Sequence, residues 1–280
     1  MVARVMVTGA AGRIGRAVLA LFAEEGVEVN ALVLDDPGDL RARLVVTGDA
    51  ADPATVRQAL AGADAVVHLA AIPTPLRHPA REVFAVNTLS TFTVLEEAGR
   101  AGIRRAVLAS SWGVTGLPWT AAEDPHPPYV PVDEAMPSQV ADPYGLSKQV
   151  DETTAAAMAR RHAMTVVSLR YPYVGGFDER LRAHAAEVTA DPARGARELW
   201  TYLEVRDAAR AALLALSVRD PGAHTAYLCA PETLVPHPTE DLLARYHPGT
   251  PLRRPIPGRQ APVDLSAAQG LLGFRARYLL

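Results

Sequence analysis

Tyr144 and Lys148 are the residues whose types and spacing point most directly to chemistry. They stand four apart in Tyr144-Gly-Leu-Ser-Lys148, so on a helix both project from one face. A free phenol has a pKa of about 10, and a nearby ammonium favours the phenolate and brings that value toward neutral pH. Such a phenol can take a proton from a substrate hydroxyl while hydride leaves the same carbon, or return one to a carbonyl. Lys148 is also the chain's single lysine, the other 27 of 28 basic residues being arginine. A compact ammonium kept at one place in an arginine-only chain suggests a position that a guanidinium cannot fill. The spacing taken alone also fits an exposed helical pair.

Ser110 and Ser111 follow an apolar run, Ile103–Leu108. A hydroxyl at that strand end can orient the oxygen that Tyr144 handles, although paired serines are also ordinary turn residues.

A second constellation is Thr8-Gly9-Ala-Ala-Gly12-Arg13-Ile14-Gly15. Gly9 permits a tight turn, Gly12 lets backbone approach a pyrophosphate, and Gly15 allows close helix packing. The following helix presents free N–H groups to the anion. Asp35 lies 20 residues beyond Gly15, the distance expected for a carboxylate on the adenosine ribose. That placement favours NAD. Arg13 could instead meet the 2′-phosphate of NADP, and Asp35 could be a solvated turn residue.

The elements that must hold these groups are legible as alternating patterns. Apolar runs at Val5–Val7, Val27–Val33, Leu44–Val46, Ala65–Leu69, Ile103–Leu108 and Thr165–Leu169 predict strands. Helices are predicted at Arg13–Glu25, Pro53–Leu60, Glu82–Arg100 and Pro143–Arg161, the last capped by Asp142 with Pro143 in its first turn. The expected fold is α/β, a Rossmann-type doubly wound parallel sheet. Residues 1–170 are read as its nucleotide-binding domain. Residues 171–280 are read as a small, discontinuous substrate lobe, with helices at Asp178–Val188 and Asp207–Ser217 and a strand at Thr225–Cys229. The proline-rich stretch 112–142 reads as a long loop beyond a strand end.

Composition narrows the classes further. The net charge is −3 with no basic stripe, which argues against nucleic acid. One cysteine, Cys229, excludes an intrachain disulfide, and the 8 histidines show no ligand spacing, so no metal is expected. No apolar run is long enough to span a membrane, and a cytoplasmic protein is expected.

Together these motifs resemble the extended short-chain dehydrogenase/reductase family, often labelled NAD-dependent epimerase/dehydratase. Thr8–Gly15 looks like its TGxxGxxG, Gly48-Asp49 its adenine-contacting segment, and His68-Leu-Ala-Ala71 the strand end behind the cofactor. Val86-Asn87-Thr88 resembles the helix that props the site, and Leu169-Arg-Tyr-Pro-Tyr-Val174 the segment against the nicotinamide. Val205-Arg-Asp207 and Leu272-Gly-Phe274 resemble late landmarks, and the distance to Gly116 selects Ser111 as the catalytic serine. The resemblance implies catalysis by Tyr144, Lys148 and Ser111. It implies cofactor contacts at Gly9, Gly12, Arg13, Ile14, Gly15, Asp35, Asp49, Ala50, Leu69, Ala70, Ala71, Asn87, Ser110, Tyr144, Lys148, Tyr171 and Val174. Substrate contacts are expected at Ser111, Trp112 and Tyr173, and a homodimer through helices 82–100 and 143–161.

Three departures bear on the reaction. Trp112-Gly113 replaces the Asp-Glu that family dehydratases carry after the catalytic hydroxyl, which argues against dehydration. Tyr173 stands where nucleotide-sugar enzymes usually place Asn, and the late part of the chain shows no clear arginine set for a nucleotide. The short lobe looks more like uronate dehydrogenases. The expected activity is therefore NAD(P)-dependent hydride transfer at a secondary alcohol or ketone of a carbohydrate-like small molecule, a sugar acid included. An epimerase that recycles its hydride and an NAD(P)-sensing regulatory protein are the alternatives.

Overall fold

A computed structural model describes residues 2–280. Seven strands form one parallel sheet in the order β3-β2-β1-β4-β5-β6-β9: β1 (Arg4–Thr8), β2 (Glu28–Val33), β3 (Leu44–Thr47), β4 (Ala65–His68), β5 (Arg105–Ser111), β6 (Thr165–Tyr171) and β9 (Gly222–Tyr227). The chain reverses direction of winding between β1 and β4, so a crevice opens beyond Thr8 and His68.

Both faces of the sheet are covered, which is why its strands read as continuous apolar runs. Alternation along β1 sends Val5 and Val7 to one face and Met6 to the other. The first face packs on α1 (Arg13–Glu24), α6 (Val205–Ala215) and α8 (Ser266–Leu272), through Val18, Phe22, Ala208, Ala212 and Leu272. The second packs on α2 (Pro53–Ala59), α3 (Ala80–Arg100) and α4 (Pro143–His162), through Val56, Val94, Leu95, Ala155 and Met158.

A third core, with Trp112, Tyr129, Leu181, Trp200, Tyr227 and Ile256, joins the loop after β5 to the segments after β6. It contains β7 (Tyr173–Gly175) paired with β8 (Tyr202–Glu204), α5 (Arg182–Ala190) and α7 (Thr239–Tyr246). Here the outlines differ from expectation. The helix expected at Asp178–Val188 is a π-turn at Phe177–Leu181 followed by α5. The late strand runs Gly222–Tyr227 rather than Thr225–Cys229, because it pairs with β6 from Thr165 to Arg170. α7, α8 and the 3-10 turn at Pro192–Glu198 were not expected; none is longer than eight residues, about two helical turns, too short for a pattern to stand out in the sequence.

Candidate active site

Glycine geometry builds the phosphate cradle. Gly9 has φ +64, and its N–H donates to the Leu32 carbonyl at 3.0 Å. A Cβ on Gly9 would lie 2.8 Å from the Ala70 nitrogen, and one on Gly15 only 2.3 Å from the Gly9 carbonyl. Any side chain at either place would push β1, β4 and α1 apart. Gly12 caps α1 without a side chain, leaving the first-turn N–H groups free to face an anion. Beside this turn is a cleft of about 390 Å³ bounded by Gly12, Asp35, Asp49, Ala50, Leu69 and Ala71. Ile14 packs against the core behind it, and Val174 lies in β7 opposite Leu203. The expected adenosine-side residues thus share one crevice.

Arg13 is not free at the cleft mouth. Its guanidinium makes an ion pair with Glu179, both Nε–O distances being under 3 Å (2.7 and 2.9 Å). Glu179 also accepts from the Gly176 N–H, so it pins the turn after β7 to the glycine loop.

The proposed chemistry lies at the head of α4. Asp142 Oδ1 accepts from the N–H groups of Tyr144 and Gly145 at 2.9 and 2.8 Å, starting the helix where expected. Tyr144 and Lys148 are both buried, and the Lys148 ammonium lies 6.0 Å from the centre of the Tyr144 ring. Ser111, the last residue of β5, accepts from the Gly113 N–H at 3.0 Å. A Cβ on Gly113 would meet Tyr144 Cε1 at 3.1 Å and Ser111 Oγ at 3.4 Å, so hydroxyl and phenol converge on this glycine. Asn87 on α3 braces the arrangement. It accepts from the Ile72 N–H at 2.8 Å and donates to Ser147 Oγ at 2.9 Å.

Lys148 has a buried partner that its own spacing did not suggest. Asp151 Oδ2 accepts from the ammonium at 3.2 Å. Burial works against the charge on Lys148, but Asp151, with help from Tyr144 and Glu152, outweighs it and holds the ammonium above the ordinary lysine range. Behind them His68 is buried and neutral, pushed down to about 3 by burial and then by the Lys148 charge.

Several expected contacts take other partners. The Ser110 hydroxyl donates to Glu152, which also grips Arg170 through two bonds of 2.9 and 2.8 Å. The Tyr171 phenol donates to the Ala208 carbonyl inside the α6 face, and burial pushes its pKa up. Alternation sends both side chains into the core, so a cofactor could meet these residues only through backbone. Trp112 donates to the Arg197 carbonyl and packs edge-on against Tyr227. Tyr173 stacks on His184, and Arg180 lies over its other side, donating to the phenol oxygen. Asp151, Glu152 and Glu179 were the functional neighbours not anticipated. The first two were findable, since they follow Lys148 by three and four residues on one helix. Glu179 lies 166 residues from Arg13 and gave no local signal.

The family model for the NAD dependent epimerase/dehydratase family matches residues 5–230. The chain belongs to this family. It is 30% identical over 198 residues to a UDP-glucose 4-epimerase of Azospirillum brasilense, covering 67% of this chain but only 53% of that protein. It is 32% identical over 204 residues to an L-arabinose 1-dehydrogenase (NAD(P)(+)) of Haloferax volcanii, covering 71% and 77%. A solved structure, MoeE5 in complex with UDP-glucuronic acid and NAD, superposes with a TM-score of 0.71 at 26% identity, covering 99% of this chain and 94% of that one. No helix of the described residues is long and apolar enough to cross a membrane, and no group of three or more metal-binding side chains occurs among them.

Proposed function

We propose that this protein is an NAD-dependent oxidoreductase acting at a secondary alcohol or ketone of a sugar or sugar acid. The convergence of Ser111 and Tyr144 on Gly113, with Lys148 one turn along α4, carries this reading. The crevice fits a dinucleotide because Gly9 and Gly15 stand where no Cβ could, and the bare start of α1 faces the same space. Gly9, Gly12 and the first turn of α1 would hold the pyrophosphate, Asp35 the adenosine ribose, and Lys148 the nicotinamide ribose. The bound nicotinamide supplies the hydride acceptor or donor.

Ser111, its lone pair already fixed by the Gly113 N–H, turns its proton toward the substrate oxygen and holds that oxygen near the phenol. Tyr144 takes the hydroxyl proton on oxidation and returns it on reduction.

Residues 1–170 are read as the cofactor part. Residues from 171 onward, with the loop at 112–142, shape the substrate side, although α6, α8 and β9 return to the main sheet. Tyr173, clasped between His184 and Arg180, gives no amide for a nucleotide base or phosphate, which supports a free sugar over a nucleotide sugar. The protein is further read as a homodimer through α3 and α4, whose outward faces expose Leu89, Phe92 and Leu146.

The test is absorbance at 340 nm with NAD and a panel of sugars, sugar acids and nucleotide sugars. Reduced cofactor released with a free sugar or sugar acid is expected, and Tyr144→Phe should cut turnover at least a hundredfold while NAD binding stays within threefold. Conversion of a nucleotide sugar with no released NADH would overturn the net oxidation and make the protein an epimerase.

A further inference from the structure

Behind Leu69 and Ala70, which line the crevice, lies a buried polar chain that the Ser–Tyr–Lys assignment leaves unused. Its hydrogen-bond directions follow from counting donors and acceptors. Thr8 Oγ1 accepts the N–H groups of both Leu69 and Ala70, each at 3.1 Å, which fills its lone pairs. Its own proton must therefore go to His68 Nδ1, 2.7 Å away. A neutral His68 that accepts at Nδ1 carries its hydrogen on Nε2, and Nε2 faces Thr91 Oγ1 at 3.2 Å. Burial pushes the Asp151 carboxyl above the ordinary carboxylate range, against the pull of the Lys148 charge and a smaller pull from Thr91. No complete hydrogen bond reaches Asp151 Oδ1, so Lys148 is the one strong partner of this carboxylate among the described residues. Thr8, His68, Thr91, Asp151 and Lys148 are all at most 3% exposed.

We propose that Asp151 is a positioning residue for Lys148: its carboxylate keeps the ammonium charged and fixed at the end of the crevice. The Thr8–His68–Thr91 chain lies beside that carboxylate and runs from β1 and β4, which also carry the phosphate cradle, to α3. This rests on the role given to Tyr144 and Lys148 above. An ammonium has three protons. Asp151 takes one, which turns the remaining two toward the crevice, where ribose hydroxyls and the phenol would lie. Water cannot substitute for Asp151 at a site this enclosed, and a buried lysine without a counter-charge gives up its proton.

The charged or titratable groups facing Lys148 are Tyr144, Asp151 and Glu152 on its own helix and His68 on β4; Thr91 is the neutral contributor from α3. His68 is neutral, and Glu152 is already held by Arg170 and Ser110. Asp151 is thus the counter-charge whose loss Lys148 would feel most.

The single lysine makes a direct measurement possible. Protein labelled with lysine carrying 13C at the ε carbon gives one side-chain signal, and its pH titration reports Lys148 with or without NAD and without any substrate. In the native protein the midpoint should lie above that of free lysine. In Asp151→Asn it should fall, with a proton affinity at least tenfold lower, and Asp151→Glu should restore most of it. The alkaline limb of the kcat profile should move down with the midpoint. Thr91→Val, which leaves the ion pair in place, should give a smaller fall in the same direction and serves if Asp151→Asn does not fold. An unchanged midpoint in the folded variants would overturn the proposal. The Tyr144→Phe measurement decides the catalytic reading separately, because the lysine signal titrates whether or not Tyr144 is the acid–base.

Discussion

The guanidinium of Arg13, in the glycine loop, is closed onto the carboxylate of Glu179 at 2.7 Å. This ion pair ties the cofactor side of the crevice to the turn after β7. Both side chains are more than a third exposed, so the pair adds little to stability. Its consequence is for cofactor choice. A guanidinium already neutralised is a poor receiver for a 2′-phosphate, and Asp35 lines the crevice and repels one. NAD is expected to bind at least tenfold more tightly than NADP by calorimetry. Glu179→Gln should improve NADP binding more than NAD binding. A native preference for NADP would remove the roles given to both Arg13 and Asp35.

Gly113→Ala separates chemistry from binding. The added methyl would crowd the Tyr144 ring, with Cε1 at 3.1 Å and Cδ1 at 3.2 Å, and would sit in ordinary contact with Ser111 Oγ, without touching the phosphate cradle. A displacement of a catalytic group by even part of an ångström costs on the order of tenfold to a hundredfold in rate. Steady-state kinetics should show that loss in kcat, with the NAD dissociation constant within threefold of native. Full activity would mean that Ser111 and Tyr144 do not act as a matched pair.

Asn87→Ala removes the brace between α3 and α4. The part-buried Ile72 N–H loses its acceptor and the Ser147 hydroxyl, which still donates to the Tyr144 carbonyl, loses its donor, at a cost of about 1–3 kcal/mol. Thermal unfolding should show a midpoint lowered by roughly 2–8 °C. Turnover should fall as well, since Ser147 and Tyr144 share the first turns of α4. A variant with native stability would show that the brace carries no load.

Glu198 gives a pH dependence of stability. Burial, opposed by Arg197, lifts its carboxyl to about 7 from its ordinary value of 4.5. The folded state therefore binds this proton more tightly than the unfolded state. That contribution is complete below about pH 4.5 and is lost as pH rises through about 7. Glu198→Gln stays neutral throughout, so its melting temperature should exceed that of the native protein by a few degrees at pH 8 and match it near pH 4.5. A constant offset at both pH values would count against a protonated Glu198.

Phe92→Glu tests the dimer. Phe92 is 49% exposed and Leu89 56% on α3, and Leu146 is 44% exposed on α4. Sedimentation or light scattering should find a dimer for the native chain and a monomer for the variant, because a carboxylate buried without a partner in an apolar interface is costly. A native monomer would reject this face as the interface.

The sequence by itself determined the chemistry-bearing ends of the elements. The glycine cradle is local because a turn that must approach a phosphate tolerates no Cβ, and this requirement is written in the glycine spacing itself. The α4 head is local too: Asp142 caps it, Pro143 starts it, and four-residue spacing puts Tyr144 and Lys148 on one face. Six of the seven sheet strands were legible as apolar runs because helices cover both faces. Tertiary structure alone decided what those groups touch. Alternation along β5 and β6 turned the Ser110 and Tyr171 side chains inward, away from the roles expected of them. The Arg13–Glu179 pair, the clasp of Tyr173 by His184 and Arg180, and the run from Thr8 through His68 to Thr91 all join residues on different elements. Hydrogen bonds and charges act over a few ångströms of space, whatever the distance along the chain, so no local pattern records them.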